Sequence, residues 1–495
     1  MAAGCRGNFR KKLFGGLRLV KLPFRPGAHR SSFEIDMTNG PLVGKTIRFA
    51  IPLALSGILQ LLFNAADIIV VGQFVGPQAL AAVGSTSALI QLIVNLFIGL
   101  SIGVNVLVAR YYGAGQRKDL HETVHTAVLV SLVCGVVLIF LGVALSRPLL
   151  EMMGTPEDVI GQAVLYMRIY FIGMPVMMLY NFGSAILRAV GDTQRPLYFL
   201  FIAGVVNVIL NLIFVIIFHM GVEGVAIPTV ISQCISATLV LLCLVKSDTV
   251  YRVELKKLTI HKDKLLQMVK IGVPAGIQSA TFSISNVLIQ SSINSFGSTV
   301  VAGSAAAGNI ENFVYQAMNA FYQTNLTFTG QNYGAGECRR VDKTLLYCQG
   351  FVIVTGLLLG NLVYYFGHPL VSIYAPGEED VIRQGIIRLG YVARPYALCG
   401  IMDTMVGSLR GLGYSIGPMI VSLIGACGLR VAWIFTIFQM YRTPENLYIS
   451  YPISWIVTGA VHILFFLYAR KKAFALVRAD SRKEAEGEHP VTEEQ

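Results

Sequence analysis

Charge is scarce in this 495-residue chain. Asp, Glu, Lys and Arg make up 13% of it, too little to cover the surface of a water-soluble domain of that length. The eight cysteines include no Cys-x-x-Cys and no His/Cys cluster, which excludes zinc-ribbon and thioredoxin-type sites; Cys134, Cys234, Cys243, Cys399 and Cys427 lie in apolar runs and read as small buried side chains. His219, His368 and His462 are isolated from one another, so no metal-ligand spacing arises. No nucleophile arrangement is visible. The Tyr-Gly-Ala-Gly pieces follow no strand and read as loop breaks, not phosphate cradles. Neither an enzyme nor a bound cofactor or metal is therefore expected. A secretory signal is also missing: residues 1–36 hold eight Lys/Arg and no apolar core.

What the chain has is apolar sequence, 54% of all residues, in long continuous runs between Thr46 and Arg470. Each bilayer crossing takes about 20 apolar residues, so these runs suffice for roughly a dozen helices. The runs do not alternate in the short segments of a membrane β-barrel. Helices are expected over 46–71, 84–111, 121–145, 160–189, 195–219, 222–245, 265–296, 299–332, 343–366, 381–410, 415–441 and 449–470. The net charge of +12 would suggest nucleic acid in a soluble protein, but 32 of the 39 Lys/Arg fall in the tails and in the loops after even-numbered spans together with the adjacent helix ends. The loops after spans 1, 5 and 7 hold none, and the 3–4 and 9–10 connections are acidic. The positive-inside rule then puts both termini in the cytoplasm of a multi-pass cell-membrane protein with lipid, not nucleic acid, around it.

The two halves repeat. A shift of 221 aligns Tyr112-Gly113-Ala114-Gly115 with Tyr333-Gly334-Ala335-Gly336; a shift of 222 aligns Leu187-Arg188 with Leu409-Arg410, Gly191 with Gly413 and Pro196 with Pro418. Six spans per half give both halves the same orientation, as in parallel-repeat transporters with a cavity between the halves. The expected organisation is a basic tail over 1–40 (with Met37 as an alternative start), an N-lobe over 41–245, a cytoplasmic linker over 246–264, a C-lobe over 265–470 and a tail over 471–495.

Several of these pieces resemble the multidrug and toxic compound extrusion (MATE) family. The resemblance is carried by Gly40-Pro41, Ala50-Ile51-Pro52, Ala66-Asp67-Ile68-Ile69-Val70-Val71-Gly72, the duplicated Tyr-Gly-Ala-Gly, Leu187-Arg188-Ala189-Val190-Gly191-Asp192-Thr193 and Leu409-Arg410-Gly411-Leu412-Gly413, in that order along residues 40–470. It implies an all-α membrane protein of twelve helices, two parallel six-helix repeats in a V around a central cavity. It also implies cation-coupled antiport, with H⁺ or Na⁺, of small amphipathic organic cations by a monomer. By the same resemblance Asp67, Asn207, Asn211 and Thr229 fall on a polar coupling site in the N-lobe. Many relatives have Asp where this chain has Asn211, and this chain has no acid between Gly272 and Phe296, which places it nearer the DinF-like branch than NorM-type members.

The residues support such a site on physical grounds. Asp67 is the single acid of the first helix, flanked by Ala65, Ala66, Ile68 and Ile69. A carboxylate at the bilayer centre costs at least about 2.5–3.5 kcal/mol, so an acid there is retained for function or satisfied by local hydrogen bonds. Asn207 and Asn211 are one turn apart on one face, suited either to the site or to joining helices. Gln60 and Asn64 lie on or near the Asp67 face. In the second half, Glu311 suits a cation site or a paired structural charge, Asp403 an ion pair with an arginine, and Asn286 is a loose counterpart of Asp67. Met174, Met177, Met178 and Tyr170, and the aromatics of the eighth span, suit either cargo or core packing. The alternative activity is flipping of a lipid or lipid-linked glycan, which would favour a basic cavity.

Overall fold

The computed structural model describes residues 32–485, and the described residues contain helices and no strands. The helices are α1 (Leu42–Val75), α2 (Pro77–Gly113), α3 (Arg117–Met152), α4 (Glu157–Ile172 and Met174–Ala189), α5 (Gln194–Ile217) and α6 (Glu223–Val245). After the linker come α7 (Lys262–Asn294), α8 (Ser298–Gly334), α9 (Cys338–Tyr365), α10 (Glu379–Tyr391 and Ala397–Gly411), α11 (Ile416–Met440) and α12 (Ser450–Ala485). Eight of them are long and apolar enough to cross a membrane alone, and the two pieces of α4, bent by 48° at Gly173, make a ninth. At 33 and 37 residues, α7 and α8 reach about 50 Å, enough to cross. They are less apolar than those spans because of side chains such as Gln278, Ser285, Thr324, Asn325 and Asn332, all of which are buried against protein. Large apolar residues such as Phe140, Leu358, Ile424 and Leu464 instead face outward, as a lipid solvent requires.

Several boundaries differ from expectation for local reasons. Gly76, at φ 121°, turns the chain sharply, and Pro77 then starts α2 seven residues before the expected 84. Span 10 is two helices separated around Arg394-Pro395, since the residue before proline is pushed out of helical conformation. The last helix runs past 470 to Ala485, so the tail expected over 471–495 is helical in its first part and otherwise outside the described residues. Residues 1–31 also lie outside them. Of the residues on either side of Met37, the Ile35 amide donates to the Gly191 carbonyl at 3.1 Å, and Met37 is fully buried with Phe49 and Phe328. The described cysteines are all free thiols.

The first six helices pack together as one lobe and the last six as another. They meet along α1 and α2 on one side and α7 and α8 on the other. Close approach there depends on glycine. A Cβ on Gly103 would lie 2.5 Å from the Met268 carbonyl oxygen, and one on Gly272 would lie 2.6 Å from Leu100 Cα. Gly99 and Gly276 face each other with no room for a methyl, and so do Gly113 with Gln331 and Gly334 with Arg110. Hydrogen bonds tie the same end: Thr327 to Asn105 (3.1 Å), Gln331 to the Ala189 carbonyl (2.6 Å), Tyr111 to Gln267 (2.8 Å), and Arg340 to the Met37 carbonyl (2.9 Å). Among the described residues, the hydrogen bonds that cross between lobes all fall at this end, which also carries both ends of the described chain. The lobes therefore form a V whose closed point lies at the terminus-bearing end.

Candidate functional site

Asp67 lies in α1, most of whose apolar stretch is not enclosed by the rest of the protein. Packing against α5 fixes where the carboxylate goes. Gly204 leaves a notch in α5 that the Phe63 ring fills, and no Cβ could share that space. One turn beyond Phe63 is Asp67, and beyond Gly204 come Asn207 and Asn211, so the polar groups meet on the same seam. Asn211 Nδ2 donates to Asp67 Oδ1 at 2.5 Å and to Asn207 Oδ1 at 3.4 Å. Asn207 Nδ2 donates in turn to Thr229 Oγ1 at 3.4 Å, and Thr229 donates to the Val225 carbonyl at 2.9 Å. Bonds of 3.4 Å are long and weak, whereas the Asp67–Asn211 bond is short and charge-assisted. The structure thus joins Asp67, Asn207, Asn211 and Thr229 in one chain.

Two features of this cluster go beyond the expected Asp67, Asn207, Asn211 and Thr229. First, π-helical turns follow both key residues, at Val71–Val75 in α1 and Ile213–Ile217 in α5, and the two turns pack on each other. Such turns release one backbone register and are enriched at functional sites. Second, Tyr166 and Tyr170 of α4 stand within electrostatic range of the Asp67 carboxylate, and Tyr170 lies beside Gln233 of α6. Gln233 is one turn from Thr229, so its shared face was legible from spacing alone.

The cluster has more acceptors than donors. Asn211 Oδ1 is buried with no partner, and no lysine or arginine pairs with Asp67 among the described residues. A proton or a cation is what such a site lacks. Gln60 and Asn64 are exposed, and they share a face with Gly57, which abuts Gln316 of α8. That face points across the V toward the other lobe.

The second-half candidates separate. Arg388 grips Glu311 with Nε and Nη2 at 3.1 and 2.8 Å and reaches Ser304 at 2.7 Å; this is a fully engaged structural pair. The expected Asp403–arginine pair does not form. Asp403 accepts a bond from the Tyr315 hydroxyl at 3.4 Å, while Arg410 is occupied by Tyr322 (2.6 Å) and Gln278 (2.8 Å). Asn286 is exposed on α7 and joins none of these groups. The helix 4 side chains Phe171, Met174 and Met178 are fully buried, with Phe171 lodged against Gly142, and serve packing.

A profile of the MatE family matches residues 52–213 and again 274–436, once in each half. The chain belongs to the MATE family. Among its curated relatives in Bacillus subtilis are the probable multidrug resistance proteins YpnP, 27% identical over 89% of this chain and 98% of that one, and YoeA, 28% identical over 86% and 93%. A FAD transporter of Shewanella oneidensis is 26% identical over 66% of this chain and 73% of its own. An outward-facing multidrug resistance MATE transporter superposes with a TM-score of 0.83 over 91% of this chain and 100% of that one, at 23% identity. This MATE chain is therefore a multi-pass membrane transporter of two helical lobes, with relatives named for multidrug efflux.

Proposed function

We propose that this MATE protein exports amphipathic organic cations in exchange for protons, and that Asp67 couples the two flows. The relatives carry names for different cargoes, so the fold does not select among them; the site must. The observation that carries the reading is the acceptor surplus at Asp67 and Asn211, in a lobe interior where a negative group favours a cationic guest. Two states follow from one carboxylate: ionised, it holds a cation; protonated, it releases it. In alternating access the V would open by turns at each end. The form described here is closed at the terminus-bearing end, which the charge bias assigns to the cytoplasm of the cell membrane. Protonation from outside would discharge the cargo, and reopening inward would return the proton.

The test is transport in proteoliposomes with a fluorescent organic cation and imposed pH or Na⁺ gradients. Asp67→Asn should abolish gradient-driven movement while leaving the melting temperature near that of the native chain. Undiminished proton-driven efflux in that variant refutes the mechanism, and acceleration by a Na⁺ gradient alone reassigns the coupling ion.

A further inference from the structure

The repeat shift of 222 places the C-lobe counterparts of the N-lobe site at positions of opposite chemistry. It is anchored locally by Ile231-Ser232 on Ile453-Ser454. Thr229 then corresponds to Tyr451, Gln233 to Trp455, Tyr166 to Arg388, and Val208, beside Asn207, to Arg430. Arg430 stands in α11 directly after a π-helical segment, Leu423–Gly428, just as Asp67 and Asn211 border π-turns of their own. Its side chain is 3% exposed. Nε donates to Ser454 Oγ at 2.8 Å, and the guanidinium carbon lies 4.3 Å from the Tyr451 ring centre and 5.7 Å from that of Trp455. Trp455 stacks on Tyr396 at 5.4 Å.

The terminal nitrogens of Arg430 have no carboxylate within ion-pair distance and no hydrogen-bond partner among the described residues. Asp403 lies within electrostatic reach but accepts its bond from Tyr315. Around it the C-lobe holds three arginines, at 388, 410 and 430, against two carboxylates, at 311 and 403; of these Arg410, Arg430 and Glu311 are buried. A buried guanidinium without a bonded anion is costly, and its planar fork suits a carboxylate or phosphate. Tyr451 and Tyr396 are buried but not wholly enclosed, each keeping 9% of its surface open.

We propose that Arg430, walled by Tyr451, Trp455 and Tyr396, forms a second ligand subsite that takes the carboxylate of an aromatic anion or zwitterion. The N-lobe takes positive charge and the C-lobe negative, so a cargo bearing both groups engages both lobes. The subsite does not depend on the coupling role of Asp67.

Both tryptophans of the chain, Trp433 and Trp455, lie in this lobe, which supplies the readout. The purified full chain is titrated with three matched quenchers: 4-nitrobenzoate, its methyl ester, and 4-nitrobenzylammonium. Saturable quenching by the carboxylate is expected, at least tenfold tighter than by the ester or the ammonium, as befits a hydrogen-bonded ion pair. Trp433→Phe should keep the signal, Arg430→Gln should weaken it at least tenfold, and Asp67→Asn should leave it unchanged. Equal quenching by the three compounds overturns the proposal. So does full quenching in a folded Arg430→Gln variant, or its loss in Asp67→Asn. Should Arg430→Gln fail to fold, the acid-versus-ester comparison on the native chain still decides.

Discussion

Alanine at Gly103 adds one methyl group at the seam between the lobes, and its effect can be worked from the contact it meets. The new Cβ would sit 2.5 Å from the Met268 carbonyl oxygen, where ordinary contact begins at 3.4 Å, so α2 and α7 must separate by about 0.9 Å. The obstacle is backbone on both sides and cannot rotate away. Overpacking of this kind costs about 1–3 kcal/mol. The contact belongs to the form closed at the terminus-bearing end, so the penalty falls on that form and not on one in which the seam has parted. A differential of that size shifts a two-state population by roughly 5- to 150-fold. Spin labels at positions 118 and 343, in a cysteine-free background, should report a longer distance in Gly103→Ala than in the native chain. Gly272→Ala, which meets Leu100 Cα at 2.6 Å, should act in the same direction. If either variant loses thermal stability while its distance distribution stays native, the seam is ordinary packing and not a gate.

Other consequences follow from single contacts. Gly204→Ala should expel the Phe63 ring and displace Asp67, lowering cation transport on the order of tenfold to a hundredfold, because small misplacements of a reacting group are costly. Adding Phe63→Ala should recover part of that loss in the same transport assay. Glu311→Gln should strand a buried Arg388 and cost about 3–5 kcal/mol, read as a lower melting temperature, whereas the double replacement Glu311→Leu/Arg388→Met should be much milder.

The helices and the duplication were legible because both are written in long-range patterns of apolarity and spacing. The N-lobe cluster was legible because a lone acid in an apolar helix stands out, and because Asn207 and Asn211 are one turn apart. The C-lobe was not. Glu311 and Arg388 are 77 residues apart, and only the packing of α8 against α10 reveals them as partners. Asp403 looked ready for an arginine seven residues away, yet Arg410 turns to Tyr322 and Gln278 instead. Gly99-x-x-x-Gly103 and Gly272-x-x-x-Gly276 carry the small-residue spacing of close membrane-helix contacts, a signal present in the sequence but indistinct among 49 glycines. The Tyr-Gly-Ala-Gly pieces are only half loop breaks. Gly115 and Gly336, at φ 69° and 74°, make the turns, while Gly113 and Gly334 seal one lobe against the other.

That last division explains what the repeat has kept and what it has changed. Gly113 abuts Gln331 near the end of α8, and Gly334 abuts Arg110 near the end of α2, so each copy of the motif closes on the other lobe. A methyl at either place would pry open the same joint, and a shared joint constrains both copies alike. The interior positions face no such mutual constraint, since each lobe encloses its own. There Thr229 faces Tyr451 and Gln233 faces Trp455 across the repeat, and an acid in α1 stands against an arginine in α11. Symmetry therefore survives where backbones meet between the lobes, and it has lapsed among the side chains inside each lobe. On the reading proposed above, sites of unlike charge in the two lobes would hold different groups of one cargo, which one doubled site could not do.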